Sequence, residues 1–159
     1  MMKADSRTRA ILGLVVFLVM CFSVAAIGAA FPPGDWYAAL AKPSFNPPGW
    51  VFGPVWTLLY VLMAVAAWRV WCEGSWHEHR IALSLFVLQL GLNGLWSPLF
   101  FGLKRMDLAL INLLLLWVVL LATIVRFRRT SRLAAGLLFP YLAWVSFAGV
   151  LNYSLLSLN

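Results

Sequence analysis

The chain has 159 residues, 64% of them hydrophobic and 11% charged, against about 45–50% and about 25% in a soluble domain. So short a chain has too little interior to bury that much apolar surface, which excludes a soluble globular fold and requires lipid to cover the remainder. The formal charge of +7 comes from bases that stand between apolar runs, the placement expected of membrane loops; no soluble face exists to carry a basic nucleic-acid groove, so no nucleic-acid partner is expected.

A membrane-spanning helix takes about 20 residues, so four or five spans with short loops use up residues 1–159 as a single domain. The first run, residues 10–30, follows Lys3, Arg7 and Arg9 and ends in Ala25, Ala26, Gly28, Ala29 and Ala30. Such an end also suits a cleaved signal peptide, but the apolar region of those is about 7–15 residues. The 21 uncharged residues here read as a span. Residues 31–49 contain five prolines and two glycines, which forbids a continuous helix.

The second run, residues 50–71, has Gly53 and Pro54 near its start, where a missing backbone N–H costs little, and Arg69 near its end. Residues 73–79 read as a polar hairpin. The third run, residues 80–101, is expected to kink at Pro98. The fourth, residues 108–125, is the most uniformly aliphatic and is followed by Arg126, Arg128, Arg129 and Arg132. The fifth, residues 133–156, carries Pro140. The pattern predicts an all-α integral membrane protein, a bundle of five transmembrane helices.

With five spans, the N-terminus shares its side with Arg69, Arg80 and the arginines after the fourth run. That side holds nine of the 12 bases, and Lys42, Lys104 and Arg105 lie on the other. The N-terminus is therefore expected in the cytoplasm, with the Pro-rich loop external, in a bacterial cell membrane. No repeat of equal halves is evident, which counts against an inverted-repeat transporter. Cys21 and Cys72, the two cysteines, read as unpaired thiols.

Nine tryptophans are present. Trp36, Trp68, Trp71 and Trp76 suit an interfacial aromatic belt, whereas Trp56, Trp96, Trp117 and Trp144 lie deeper in their runs, where some are expected to point inward. Gln89, Asn93, Trp96 and Phe100 share one face of the third helix, and Tyr141, Trp144, Ala148 and Asn152 share one face of the fifth. Polar groups are costly in contact with lipid, so both faces should turn to the bundle interior. There they serve either interhelical hydrogen bonds or a pocket for a flat, largely apolar ligand, since rings stack and amides orient. No catalytic residue is expected: no carboxylate lies within a span, and both histidines sit in the hairpin. Cys72, His77, His79, Glu73 and Glu78 match no strong zinc spacing, so no metal site is expected.

Strings in three regions resemble the TspO/MBR family, which includes bacterial tryptophan-rich sensory proteins and the mitochondrial translocator protein, formerly the peripheral benzodiazepine receptor. They are Trp36–Pro43 with Asn46–Phe52 and Trp56–Tyr60, then Gln89–Gly102, and Pro140–Trp144 followed by Leu151–Tyr153. The resemblance implies a five-helix bundle, usually a homodimer, with a pocket under the first loop for porphyrins such as protoporphyrin IX and, in animals, cholesterol and synthetic ligands. Carried over by position, that pocket is lined by Tyr37, Pro47, Trp56, Tyr60, Asn93, Trp96, Trp144, Ala148 and Leu151. The family's sterol motif is incomplete here: Val150 and Tyr153 are followed by no base, which puts sterol binding in doubt. The implied function is a membrane receptor, sensor or carrier for porphyrin or a similar hydrophobic ligand, with no required cofactor. Light-dependent porphyrin degradation through Trp56, Trp96 and Trp144, and porphyrin or lipid transport, are the alternatives.

Overall fold

The computed structural model describes residues 2–74 and 76–159, without the side chains of residues 2–6, Trp76 and Glu78. Lys3, the interfacial Trp76 and the hairpin Glu78 of the sequence reading thus lie outside the described side chains. The helices are α1 (Met2–Ala29), α2 (Asp35–Ala39), α3 (Gly49–Cys72), α4 (Trp76–Ser97), α5 (Met106–Thr130), α6 (Arg132–Leu137) and α7 (Phe139–Leu158), with a π-helical turn, Pro98–Gly102, continuing α4. Five stretches are long and apolar enough to cross a membrane: Arg7–Ala29, Gly49–Cys72, His79–Gly102, Met106–Thr130 and Arg132–Leu158. At about 1.5 Å per residue each exceeds the ~30 Å hydrocarbon core. The protein is an all-α, multi-pass integral membrane protein.

The helices outrun the apolar runs. α4 begins at Trp76, so His77 and His79 lie on its first turns and not in a hairpin, and α5 continues through Arg126, Arg128 and Arg129. Hydropathy marks where lipid ends, whereas the backbone ladder continues as long as nothing breaks it. Proline does break it. Pro98 lacks the N–H for an ordinary turn, and the chain adopts a wider one in which the Leu103 N–H donates to the Pro98 carbonyl at 2.8 Å. Lys104 follows with φ of 56°, turning the chain into α5. Pro140 likewise divides the fifth run, expected as one helix, into α6 and α7 at Leu138. In the Pro-rich loop, α2 fits between Pro33 and Pro43.

α1 packs on α3 and α4, α4 on α5, α5 on α6 and α7, and α6 on α3, which closes a ring of spans. The first run behaves as a span, with Phe17 and Cys21 buried in the common core. Chain order places the start of α1, the end of α3, the start of α4, the end of α5 and α6 at one end, with eight described arginines from Arg7 to Arg132. The other end carries the Pro-rich loop with Lys42, Lys104 and Arg105.

The arginine half is packed shut. Met63, Ala64, Ala66, Ala67 and Val70 of α3 are fully buried; Phe86 stacks on Phe127 at 6.2 Å and meets Phe17 edge-on at 5.9 Å. Gly13 lets α1 approach α3 closely, since a Cβ there would lie 2.8 Å from the Trp71 ring. The Trp68 indole N–H donates to the Ala10 carbonyl at 2.7 Å, joining the same helices. Of the small residues ending α1, Ala25 packs on the core, while Ala26 and Ala30 are exposed.

Candidate functional site

At the loop end the spans part around a cavity of about 910 Å³, within the range of small-molecule sites. The loop contributes Tyr37 and Pro47, α3 contributes Trp56 and Tyr60, α4 contributes Asn93 and Trp96, and α7 contributes Trp144, Ala148 and Leu151. All nine residues named from the sequence line this one space. Their spacings of three and four residues put each set on one helical face. The Trp56 and Tyr60 rings stack at 5.4 Å, Trp144 stands edge-on to Trp56 at 6.4 Å, and Trp96 stacks on Phe100 at 4.8 Å.

The floor is a hydrogen-bonded chain across three spans. The Tyr60 hydroxyl donates to Asn93 Oδ1 at 2.7 Å, and Asn93 Nδ2 donates to the Tyr141 hydroxyl at 2.9 Å. Tyr141 itself lies beneath the floor, fully buried. On the far wall, the Trp96 indole N–H donates to Asn152 Oδ1 at 3.1 Å, and Asn152 Nδ2 donates to the Met106 carbonyl at 2.9 Å. The two amides thus satisfy both readings of their faces: they line the cavity and they join helices.

The loop forms the roof. Tyr37 packs edge-on to Phe101 at 5.5 Å and donates to Asn46 Oδ1 at 3.2 Å, while Asn46 Nδ2 donates to the Pro47 carbonyl at 3.2 Å. Burial raises the Tyr37 phenol above its ordinary value, partly offset by the Asn46 bond, so it stays a neutral donor. Gly102 admits Phe31 beside it, since a Cβ there would stand 2.9 Å from that ring. Asn159 fastens the loop to α7: its Oδ1 accepts from the Ala41 N–H at 2.9 Å and its Nδ2 donates to the Ala41 carbonyl at 3.0 Å.

Lys42 is the charged residue among the described cavity-lining residues, and none of the others is a carboxylate, histidine or cysteine. Its ammonium sits 4.9 Å over the Tyr37 ring and donates to the Ala38 and Leu40 carbonyls at 3.0 and 3.1 Å. The sequence reading missed Lys42 as a site residue, although it is the only base between Arg9 and Arg69. It also passed over Asn112, buried among the leucines of α5 with its Nδ2 donating to the Leu92 carbonyl at 2.9 Å.

Two residues of the sequence reading do not line the cavity. Gln89 is fully buried but one turn past Asn93, below the cavity, with Nε2 3.9 Å from the Met63 sulfur. Trp117 is 37% exposed on the outer face, its indole N–H donating to Ser146 Oγ at 2.9 Å; helical depth alone does not show which way a ring turns. Val150 and Tyr153 of the incomplete sterol motif are exposed on the outside of α7. Near the other end, Glu73 lies 3.8 Å from Arg69 and His79 Nδ1 lies 3.4 Å from Thr130 Oγ1. Among the described residues no group of three potential metal ligands converges.

The architecture and site define a class: a five-span membrane bundle with an aromatic cavity roofed by the loop after the first span. The model of the TspO/MBR family matches residues 12–158, and the chain belongs to that family. It is 42% identical to the tryptophan-rich protein TspO of Chlorobaculum tepidum over 154 residues, covering 94% of this chain and 97% of the relative. It is 42% identical to the tryptophan-rich sensory protein of Cereibacter sphaeroides over 146 residues, 91% of this chain and 90% of the relative. With the human translocator protein it shares 46% identity over 132 residues, 80% of this chain and 78% of the relative.

Proposed function

We propose that the protein is a membrane receptor or carrier that binds porphyrins, or flat hydrophobic ligands like them, in the loop-capped cavity. The observation that carries this reading is the lining itself: indole and phenyl rings on several sides with one ammonium, Lys42, at the loop. Rings offer stacking surface to a planar macrocycle, and an ammonium suits the carboxylates of an amphipathic one. Tryptophan-fluorescence titration of the detergent-solubilised protein with protoporphyrin IX in the dark, corrected for inner-filter absorption, tests it. Saturable quenching that weakens in Trp144→Ala is expected. Unsaturable quenching, equal in both proteins, means partition into the micelle and removes the tetrapyrrole assignment.

The photochemical reading is favoured by the three indoles, Trp56, Trp96 and Trp144, that line the same space. It requires that porphyrin absorbance decay under illumination in air, and that Trp-to-Phe variants stop the decay while still binding.

The same proposal places the N-terminus in the cytoplasm of a bacterial cell and the protein as a homodimer in its membrane. The arginine-rich end supports the orientation, and the exposed Ala26 and Ala30 provide a close-packing face. Cys72 is exposed at the arginine end and Cys21 is buried, so an impermeant maleimide applied to intact spheroplasts should label nothing until the membrane is permeabilised. Labelling of intact cells reverses the orientation. Cross-linking of Ala26→Cys across two copies tests the dimer face, and an absence of cross-linked product removes it.

A further inference from the structure

A second depression lies far from the cavity, at the arginine end between α1 and α3. It encloses about 380 Å³ and is lined by Arg9, Leu12, Gly13, Val16, Phe17 and Trp71. We propose that this groove is a binding site for one anionic phospholipid, with the phosphate at Arg9 and an acyl chain along Leu12 and Val16. The inference is independent of what the cavity binds.

Gly13 lets the Trp71 ring lie close against α1 at the floor of the groove. The nearest atom of the Trp71 ring lies 2.8 Å from where a Cβ on Gly13 would stand, so the floor is indole, α1 backbone and the nearly buried Phe17, while Leu12 and Val16 stand out as walls, 59% and 52% exposed. Arg9, Leu12 and Val16 follow i, i+3, i+7 spacing and occupy one stripe of α1, with the charge toward the helix end and the apolar pair progressively deeper in the span. That order matches a phospholipid headgroup above its chain.

Arg9 is held where a headgroup would meet it. The exposed guanidinium lies 5.2 Å over the Trp71 ring, and its Nη2 donates to the Gly74 carbonyl at 3.3 Å. These contacts keep the charge at the rim of the groove. A planar guanidinium suits a phosphate diester, and juxtamembrane arginines attract anionic leaflets. Glu73, the described carboxylate nearest this end of α3, is engaged by Arg69 at 3.8 Å, and among the described side chains Arg9 is the charge that lines the groove. A free phosphate would have no use for the apolar channel, so the lipid is the occupant that accounts for both halves.

Native mass spectrometry of the full-length protein, incubated with equal phosphatidylglycerol and phosphatidylcholine in detergent, tests the proposal. The wild type is expected to retain one phosphatidylglycerol with about fivefold or greater preference, the effect of one well-placed base. Arg9→Gln should abolish the preference, and Val16→Phe, which fills the channel and keeps the charge, should reduce retention of both lipids. Arg126→Gln, at the same end on α5, should change neither. Equal retention of the two lipids by the wild type overturns the site, as does an equal loss in Arg126→Gln, which would show diffuse attraction. Full retention by Val16→Phe also overturns it. A lipid-free dimer that Arg9→Gln dissociates would assign the groove to a second copy of the chain.

Discussion

The two halves of the bundle use the same five spans in opposite ways. In the arginine half, buried alanines on α3 draw the helices together and phenylalanines fill what remains. In the loop half the large rings of Trp56, Trp96 and Trp144 stand at the walls of a space that no side chain fills. The difference lies in the helix backbones: alanines on α3 let the spans and their phenylalanine rings close on one another at the arginine end, whereas at the loop end the spans part and the rings stand around a cavity above a hydrogen-bonded floor. The Tyr60–Asn93–Tyr141 chain marks the boundary between the two regimes.

The contrast breaks most visibly in the closed half. Phe86→Ala removes a fully buried ring and is expected to cost about 3–5 kcal/mol of stability, read as a large fall in the melting temperature in detergent. A fall of only a degree or two would show that this half has slack as well. At the boundary, Asn93→Leu strands the Tyr60 and Tyr141 hydroxyls and is expected to cost about 1–2 kcal/mol. It should also lower selectivity among porphyrins, measured by competitive titration; unchanged melting and selectivity would mean that the floor organises nothing.

In the open half the expected effects move from stability to binding. Trp144→Ala should weaken porphyrin binding about tenfold, roughly 1.4 kcal/mol, with melting almost unchanged because the ring is only partly buried; an equal loss of stability would place it in a closed core. Lys42→Gln should weaken protoporphyrin IX about fivefold through one lost charge contact, yet leave its dimethyl ester unaffected. Equal effects on acid and ester would show that the ammonium only braces the loop. The smallest change is expected from Asn159→Ala, which removes the two hydrogen bonds that fasten the loop to α7 and should raise proteolytic cleavage in residues 40–46 about twofold, a small effect because both bonds are exposed and water replaces them. An unchanged rate would mean that the loop is held by its aromatic contacts alone.

Much of this was readable beforehand. Spans as apolar as residues 108–125 have one solution in lipid, and the nine residues now found around one cavity followed from the family resemblance, with helical phase by itself turning Asn93, Trp96 and Trp144 inward. Gln89 faces the interior as its phase requires yet lies below the cavity, because phase gives a direction around the helix and no stopping depth; Trp117, deep in its run, is the one of the four inner tryptophans that turns outward. Whether an inward residue meets a cavity or a neighbour depends on the size of what faces it, and that is set by helices far away in the chain. Lys42 escaped for a related reason: a lone base in a proline-rich loop has no periodicity to announce it, and only the fold of the loop over the bundle brings its ammonium to Tyr37.

The residues taken in order were enough to establish a five-span membrane protein, its charge asymmetry and its family resemblance, because hydropathy, helical period and loop charge are local quantities that lipid enforces directly. The ring order of the spans, the split of the last run at Leu138, the boundary between the closed half and the open half, and the groove over Trp71 needed the packed molecule. Each depends on which side chains meet across helices distant in the chain, and steric fit between such partners is a property of pairs that no single stretch contains.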